Sequence, residues 1–328
     1  MRPFSYTNAK NKEQALQTFT KTSHYLGGGT NLVDLMKEDV ERPDQLIEVA
    51  NLEYKNITKN NEGGYTLGGM LSNSETANHP DIRKNYPLLS MAMLSAATAQ
   101  IRNMATNAGN LLQRTRCPYF FETSMPCNKR EPGSGCGAKD GMNALHAIFG
   151  YSDKCIATHP SDMCVALAAM NAKVEVQKTD GSSRTIDFTD FHRLPGNQPE
   201  KDNTLEPGEL ITVIHLDEPK FSDHYYYLKI RERSSYAFAL VSVAAGLQIK
   251  RGVITKAGLA MGGVAHKPWK FTKVEKYLEG KKPNKVNFKA AAEMAMQDAK
   301  PFEGNKYKVE MGKKAIVRAL TQAFEREA

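Results

Sequence analysis

Tyr25-Leu26-Gly27-Gly28-Gly29-Thr30-Asn31-Leu32 is the stretch on which the fold turns. Tyr25 and Leu26 end a short apolar strand, and Leu32, Leu35 and Met36 fall on one side of a helix that begins at Asn31. Between strand and helix stand three consecutive glycines. Without Cβ atoms, a phosphate can approach the backbone and several N–H groups can converge on it. The helix start adds partial positive charge suited to a pyrophosphate, and Thr30 and Asn31 add short side-chain donors. The same residues also suit a tight turn that holds no ligand. They match neither G-x-G-x-x-G nor a Walker loop, which would end in Gly-Lys-Ser/Thr.

Outward from this loop, residues 4–6 read as a strand and 12–20 as a helix capped by Asn11. Residues 45–49, 64–68 and 210–216 read as strands, 87–98 as a buried helix, and 161–172 as a helix with Asp162, Ala166 and Ala169 on one side. A hairpin is expected from 173–177 and 183–188 around Thr179-Asp180-Gly181. Past residue 220 the pattern changes. Three antiparallel strands are expected at 225–231, 239–249 and 254–261, followed by helices at 288–299 and 313–326. Two domains result, 1–220 and 221–328, consistent with a 328-residue chain.

The chain is 41% hydrophobic and 24% charged, ordinary for a globular protein. Apolar runs such as 237–245 are far shorter than the ~20 residues that span a bilayer, so no membrane span is expected. Met1-Arg2-Pro3-Phe4-Ser5-Tyr6 has no apolar core, which predicts no export signal of its own. The net charge of +8 suits either phosphate or acidic partners or a solvated lysine surface. No stripe of arginine with stacking aromatics accompanies it, which argues against nucleic acid.

All five cysteines lie between residues 117 and 164. An odd number excludes a fully paired disulfide framework, and thiolates gathered on a Gly/Pro-rich segment point to metal or cluster ligation. The insert at about 113–156 reads Arg116-Cys117-Pro118-Tyr119-Phe120, Pro126-Cys127-Asn128-Lys129-Arg130 and Pro132-Gly133-Ser134-Gly135-Cys136, with Cys155 soon after. A structural zinc site is the alternative, but these spacings are wider than paired Cys-x-x-Cys knuckles. Cys164 sits on an apolar helix face and reads as a small core residue. His146, on a helix-like stretch at 142–149, and Trp269 read as structural.

Two more segments suit a ligand edge. Residues 97–111 are rich in small residues and Asn, with Thr106 and Asn110 able to bond phosphate or ribose. Thr158-His159-Pro160-Ser161-Asp162 opens a helix, where Asp162 could cap the helix or accept hydrogen bonds from a ribose. His159 reads as structural.

Together the Gly27–Leu32 loop, Gln100-Ile101-Arg102-Asn103 with Thr106 and Gly109-Asn110-Leu111, and Pro160-Ser161-Asp162 with Val165-Ala166-Leu167 resemble the FAD-binding subunit of molybdenum hydroxylases, the xanthine dehydrogenase family. Tyr227-Leu228-Lys229, Arg233, Ala237, Val241-Ser242-Val243-Ala244 and Gly262-Gly263-Val264-Ala265 extend the likeness over essentially the whole chain. The resemblance implies an α+β fold. A two-lobed FAD-binding domain of the vanillyl-alcohol-oxidase type would precede a small C-terminal domain of antiparallel sheet and helices, of the CO-dehydrogenase flavoprotein type.

It further implies cofactor contacts from Leu26, Gly27, Gly28, Gly29, Thr30, Asn31 and Leu32, from Thr106, Gly109 and Asn110, and from Asp162. Lys229 would lie near the flavin ring, with Leu210 or Ile211 packed beside it. The chain departs from the family at Asn31, where Asp is frequent, and at Ala108, where Gly is frequent.

The insert resembles that of the periplasmic-type aldehyde oxidoreductases, whose flavin subunit carries a 4Fe–4S cluster. By that likeness Cys117, Cys127, Cys136 and Cys155 would be the ligands. The implied role is electron transfer from molybdenum in a large subunit, through 2Fe–2S centres of a small subunit, to FAD here and on to an external acceptor. A subunit of the 4-hydroxybenzoyl-CoA reductase type and a zinc-stabilised nucleotide-binding module are the other readings. Assembly is expected in the cytoplasm, with export on a partner's signal left open.

Overall fold

The computed structural model describes residues 1–326. Strands β1 (Ser5–Asn8), β2 (Ser23–Leu26) and β3 (Gln45–Glu48) form a parallel sheet in the order β1-β3-β2. Helix Lys12–Thr18 makes the first crossover, and Asn11 caps it by accepting the Gln14 N–H at 2.8 Å. The second crossover runs from β2 through the glycine loop into helix Leu32–Lys37. The glycine loop therefore lies at the C-terminal end of a parallel strand, the usual place for a ligand on such a sheet.

Strands β4 (Ile57–Lys59), β5 (Tyr65–Gly68), β6 (Lys173–Gln177), β7 (Ser183–Asp187) and β8 (Leu210–Leu216) make a second, antiparallel sheet in the order β4-β5-β8-β6-β7. Between β5 and β6 come the helices Asn73–Asn78, Pro80–Asn85, Pro87–Ser95, Ala99–Met104 and Asn107–Leu111, the cysteine insert, and helix Asp162–Ala169. The expected helix at 87–98 stops at Ser95. Ala97 then turns the chain with φ of +46°, and Thr98 caps a new helix by accepting the Ile101 N–H.

The last part of the chain is a four-stranded antiparallel sheet, β9 (His224–Ile230), β10 (Val241–Lys250), β11 (Val253–Gly262) and β12 (Trp269–Lys270), with helices Thr272–Leu278, Lys285–Met296 and Tyr307–Glu325. The architecture is thus α+β, with helices and antiparallel sheet in the C-terminal part. Alternation along β10 decides its packing. Val241, Val243, Ala245 and Leu247 join the core beneath the last two helices. Ala244 faces the other way, into the core of the first domain.

That second face meets helix Asp162–Ala169, which is buried at every residue. Small side chains let the sheet come close: a Cβ on Gly258 would stand 2.5 Å from the Ala169 carbonyl oxygen. The packing sets a prediction. Gly258→Ala forces the helix and sheet apart, and overpacking of this kind costs roughly 1–3 kcal/mol. Urea unfolding should show a lowered midpoint with an unchanged slope; an unchanged midpoint would mean the two layers are not held this tightly.

The stretch at 142–149 is not helical. Its N–H groups find tertiary acceptors instead: Ala147 donates to the Ile156 carbonyl, and Ile148 and Phe149 both donate to that of Val264. The final helix starts at Tyr307, six residues before the expected position, and helix Thr272–Leu278 was not anticipated.

Candidate functional site

A cleft of about 1570 Å³ runs between the two domains. Its walls include Leu26 to Leu32, Thr106, Gly109, Asn110, Asp162 and Lys229, so three sequence-distant motifs face one space. Leu210 is the exception among the expected residues. It is 3% exposed at the start of β8 and does not line the cleft, because its strand partner Gln177 and the core claim that position. Ile211 is likewise buried in the core, at 2%.

Packing makes the glycines of the loop obligatory. A Cβ on Gly28 would lie 1.7 Å from the Met104 carbonyl oxygen, and one on Gly27 would lie 2.6 Å from Thr106 Oγ1. Gly29 has φ of +70°, a left-handed conformation that favours glycine. Among the described residues, no protein acceptor takes a hydrogen bond from the N–H of Gly28, Gly29, Thr30 or Asn31. These donors are left for an anionic ligand. Asn31 ties the loop to the insert by accepting the Arg114 N–H at 2.8 Å, while its buried Nδ2 has no protein partner.

Across the cleft, Thr106 Oγ1 accepts the Gly109 N–H, and Asn110 accepts from Ser161 Oγ and donates to Asn73. Asn110 is therefore oriented by two distant chain segments. Arg102 belongs to a motif of the resemblance but was expected to have no role of its own. Its guanidinium donates to the carbonyls of Ala96 and Ala97 and holds that left-handed turn against the cleft.

Asp162 does not cap its helix. Ser161 does, accepting the Cys164 N–H at 3.1 Å. The Asp162 carboxylate instead takes the Tyr227 hydroxyl at 2.6 Å and Lys229 Nζ at 2.7 Å. Lys229 also donates to the Ser95 carbonyl, and both members of the pair are about 5% exposed or less. Burial, then the neighbouring carboxylate, push the Tyr227 hydroxyl well above its ordinary range, so it stays a donor. Asp162 thus orients Lys229 toward the cleft, and its oxygens are engaged by protein before any ribose arrives.

The four expected cysteine ligands come together around one small void, lined also by Tyr119, Phe120, Asn128, Lys129 and His146. Cys127 and Cys136 face each other in an antiparallel bridge. Burial pushes the Cys117 thiol up to about 12 and that of Cys155 to about 11, so without a metal both are protonated. Among the described residues, the compact trio of candidate ligands with atoms within 4.8 Å of one another is His159, Cys164 and His192, not any three of these cysteines. A tetrahedral zinc with Zn–S near 2.3 Å would set its sulfurs roughly 4 Å apart.

Cys164 is fully buried, and burial pushes its thiol up to about 12. Its neighbours His159 and His192 are pushed down by the same cause, His192 to about 4, and His192 Nε2 meets the Leu111 carbonyl. The trio is therefore neutral core.

Residues 2–219 match the model of the FAD binding domain in molybdopterin dehydrogenase, and residues 226–325 match that of the CO dehydrogenase flavoprotein C-terminal domain. The chain belongs to the FAD-binding medium subunits of the molybdenum hydroxylases. It is 41% identical to the aldehyde oxidoreductase FAD-binding subunit PaoB of Escherichia coli over 98% of this chain and 99% of that one. It is 21% identical to the carbon monoxide dehydrogenase medium chain of Afipia carboxidovorans, covering 98% and 96%. The fold is also that of carbon monoxide dehydrogenase from Hydrogenophaga pseudoflava, with TM-score 0.77 and 21% identity over 100% and 99% of the two chains.

The cleft of this medium subunit fits FAD. Free N–H donors on a glycine loop suit the pyrophosphate, and the buried Lys229 offers a cation. The insert, which has only the short helices Pro118–Phe121 and Gly137–Asp140, is fastened by charge. Asp202 receives Arg114 Nε at 2.8 Å and Lys129 Nζ at 2.6 Å, and Arg114 also pairs with Glu41. Burial would raise the Asp202 carboxyl, but Lys129 and Arg114 outweigh it and hold it well below the usual carboxylate range.

Two outcomes follow. Gly28→Ala should give a folded protein with little retained flavin, read as flavin absorbance per mole of chain; full flavin content would show that the loop is not the cradle. Asp202→Asn should destabilise by roughly 3 kcal/mol near neutrality, as expected when a buried pair loses one partner. A carboxyl depressed in the folded state stabilises above its unfolded value, near pH 4, and loses that contribution as pH falls further. Unfolding midpoints of wild type and variant should therefore differ at pH 7 and converge on acidification below pH 4.

Proposed function

We propose that this medium subunit holds FAD in the interdomain cleft and a 4Fe–4S cluster on Cys117, Cys127, Cys136 and Cys155. In this reading it serves electron transfer in a molybdenum-dependent aldehyde oxidoreductase. Its partners would be a large subunit carrying the molybdenum cofactor and a small subunit carrying 2Fe–2S centres, with an external acceptor completing the path. The observation that carries the reading is the shared wall of the two sites: Thr115, Cys117 and His146 line both the flavin cleft and the cysteine void. The identity of 41% to a protein named as an aldehyde oxidoreductase subunit supports the substrate class over an aryl-CoA thioester.

The bound cofactors would supply the redox chemistry, FAD exchanging electrons in pairs or singly and the cluster singly. The chain's own residues position and tune. Gly28 to Asn31 would bind the pyrophosphate through backbone N–H groups. Lys229, held by Asp162 and Ser95, would present positive charge where a reduced flavin gathers negative charge. No side chain is needed as acid, base or nucleophile. We also infer assembly with its partners in the cytoplasm, before any export on a partner's signal.

Anaerobic purification and visible spectroscopy test the proposal. Flavin bands over a broad thiolate-to-iron absorption, both bleaching on reduction, are expected, with about four irons and four labile sulfides per chain. Cys127→Ser should abolish the iron absorption and leave the flavin bands. Bound zinc in place of iron would defeat the cluster assignment. Reduction of an aryl-CoA thioester by the reduced complex, without oxidation of aromatic aldehydes, would defeat the substrate class.

A further inference from the structure

We infer that His146 is a positioning residue for the cysteine site, donating a hydrogen bond from Nε2 to the Cys117 sulfur and thereby raising the reduction potential of the centre bound there. The inference rests on the proposed cluster.

His146 Nε2 lies 3.1 Å from Cys117 Sγ. The ring is 3% exposed and stands in the wall between void and cleft, so water does not compete for the contact. In the metal-free chain either atom can donate. Once Cys117 is a metal-bound thiolate it has no proton, and the contact survives only if Nε2 carries the hydrogen. Ligation therefore selects one tautomer. The other nitrogen, Nδ1, is buried without a protein partner, so no protein acceptor holds the hydrogen at Nδ1.

The backbone of His146 is fixed from the C-terminal domain. Lys308 Nζ donates to the His146 carbonyl at 2.9 Å and to that of Gly263 at 2.6 Å, and Asn305 Nδ2 donates to His146 and Ala147. Lys308 and Asn305 are both 0% exposed. Burying a lysine is costly unless its donors are met, and these carbonyls meet them. Here it holds the residue that faces the thiolate.

A hydrogen bond to a ligand sulfur stabilises the more negative, reduced state more than the oxidised one. Removing the donor lowers the potential. The test is an EPR-monitored redox titration of the cluster, with iron and sulfide assays, on the complete complex as purified. His146→Leu removes the donor, while His146→Gln keeps an N–H near the position of Nε2.

At a fixed poise near the midpoint, the ratio of reduced to oxidised cluster should fall about tenfold in His146→Leu, equivalent to ~59 mV for a one-electron couple. His146→Gln should stay near wild type. Loss of iron in the leucine variant with retention in the glutamine variant would equally support the donor role. An unshifted potential in an iron-replete leucine variant overturns the inference and leaves the cluster standing. Iron loss in both variants also overturns it, since ring shape rather than hydrogen-bond donation would then be the requirement. Iron-free wild-type protein removes the cluster itself and the inference with it.

Discussion

The ion pair of Asp162 and Lys229 is the constraint around which this molecule is arranged. Both side chains are about 5% exposed or less. A charge removed from water is tolerated only when it is paired and its remaining bonding capacity is met. The Tyr227 hydroxyl and the Ser95 carbonyl meet it. To bring these groups together, the start of helix Asp162–Ala169, the end of helix Pro87–Ser95 and strand β9 must converge at one point. That point is the floor of the cleft. The two domains are therefore joined beside the cleft that Asp162 and Lys229 line, and the small residues of helix Asp162–Ala169 and of β10 and β11 allow the approach.

The cysteine insert lends its apolar residues to its neighbours, Phe120 and Cys127 packing with Leu35 and Ile148 and Phe149 joining the core of the C-terminal domain. Polar contacts hold it further. Asp202 gathers Arg114 and Lys129 on one side, and Lys308 and Asn305 reach in from the C-terminal domain on the other. Within the insert, the Asn128 side chain accepts the N–H groups of Gly133 and Gly135 and donates to the Lys154 carbonyl, closing the loop that carries three of the cysteines. A segment built this way depends on its surroundings for shape. Burial keeps the Cys117 and Cys155 thiols protonated in the free chain.

The cysteine void and the flavin cleft share a wall. Cys117 and His146 touch both spaces. Arg102 lies on the opposite side of the cleft, where it stabilises the left-handed turn at Ala97.

Local chemistry was legible in the chain. The glycine loop, the cap at Asn11, the hairpin at 173–187 and the three long strands of the C-terminal sheet all follow from short-range rules of backbone conformation, capping and period-two patterning. The likeness of the insert to a known one grouped four cysteines, and the structure gathers the same four around one void. The stretch at 142–149 looked helical but is held by the carbonyls of Ile156 and Val264, which are distant in sequence. Asp162 looked like a cap or a ribose ligand but serves Tyr227 and Lys229. Leu210 looked like a wall of the cleft but belongs to the core. The sequence by itself determined which groups are present and what each can do. Only the tertiary structure decided which of them meet, because burial, charge pairing and hydrogen-bond satisfaction depend on neighbours that the linear chain does not specify.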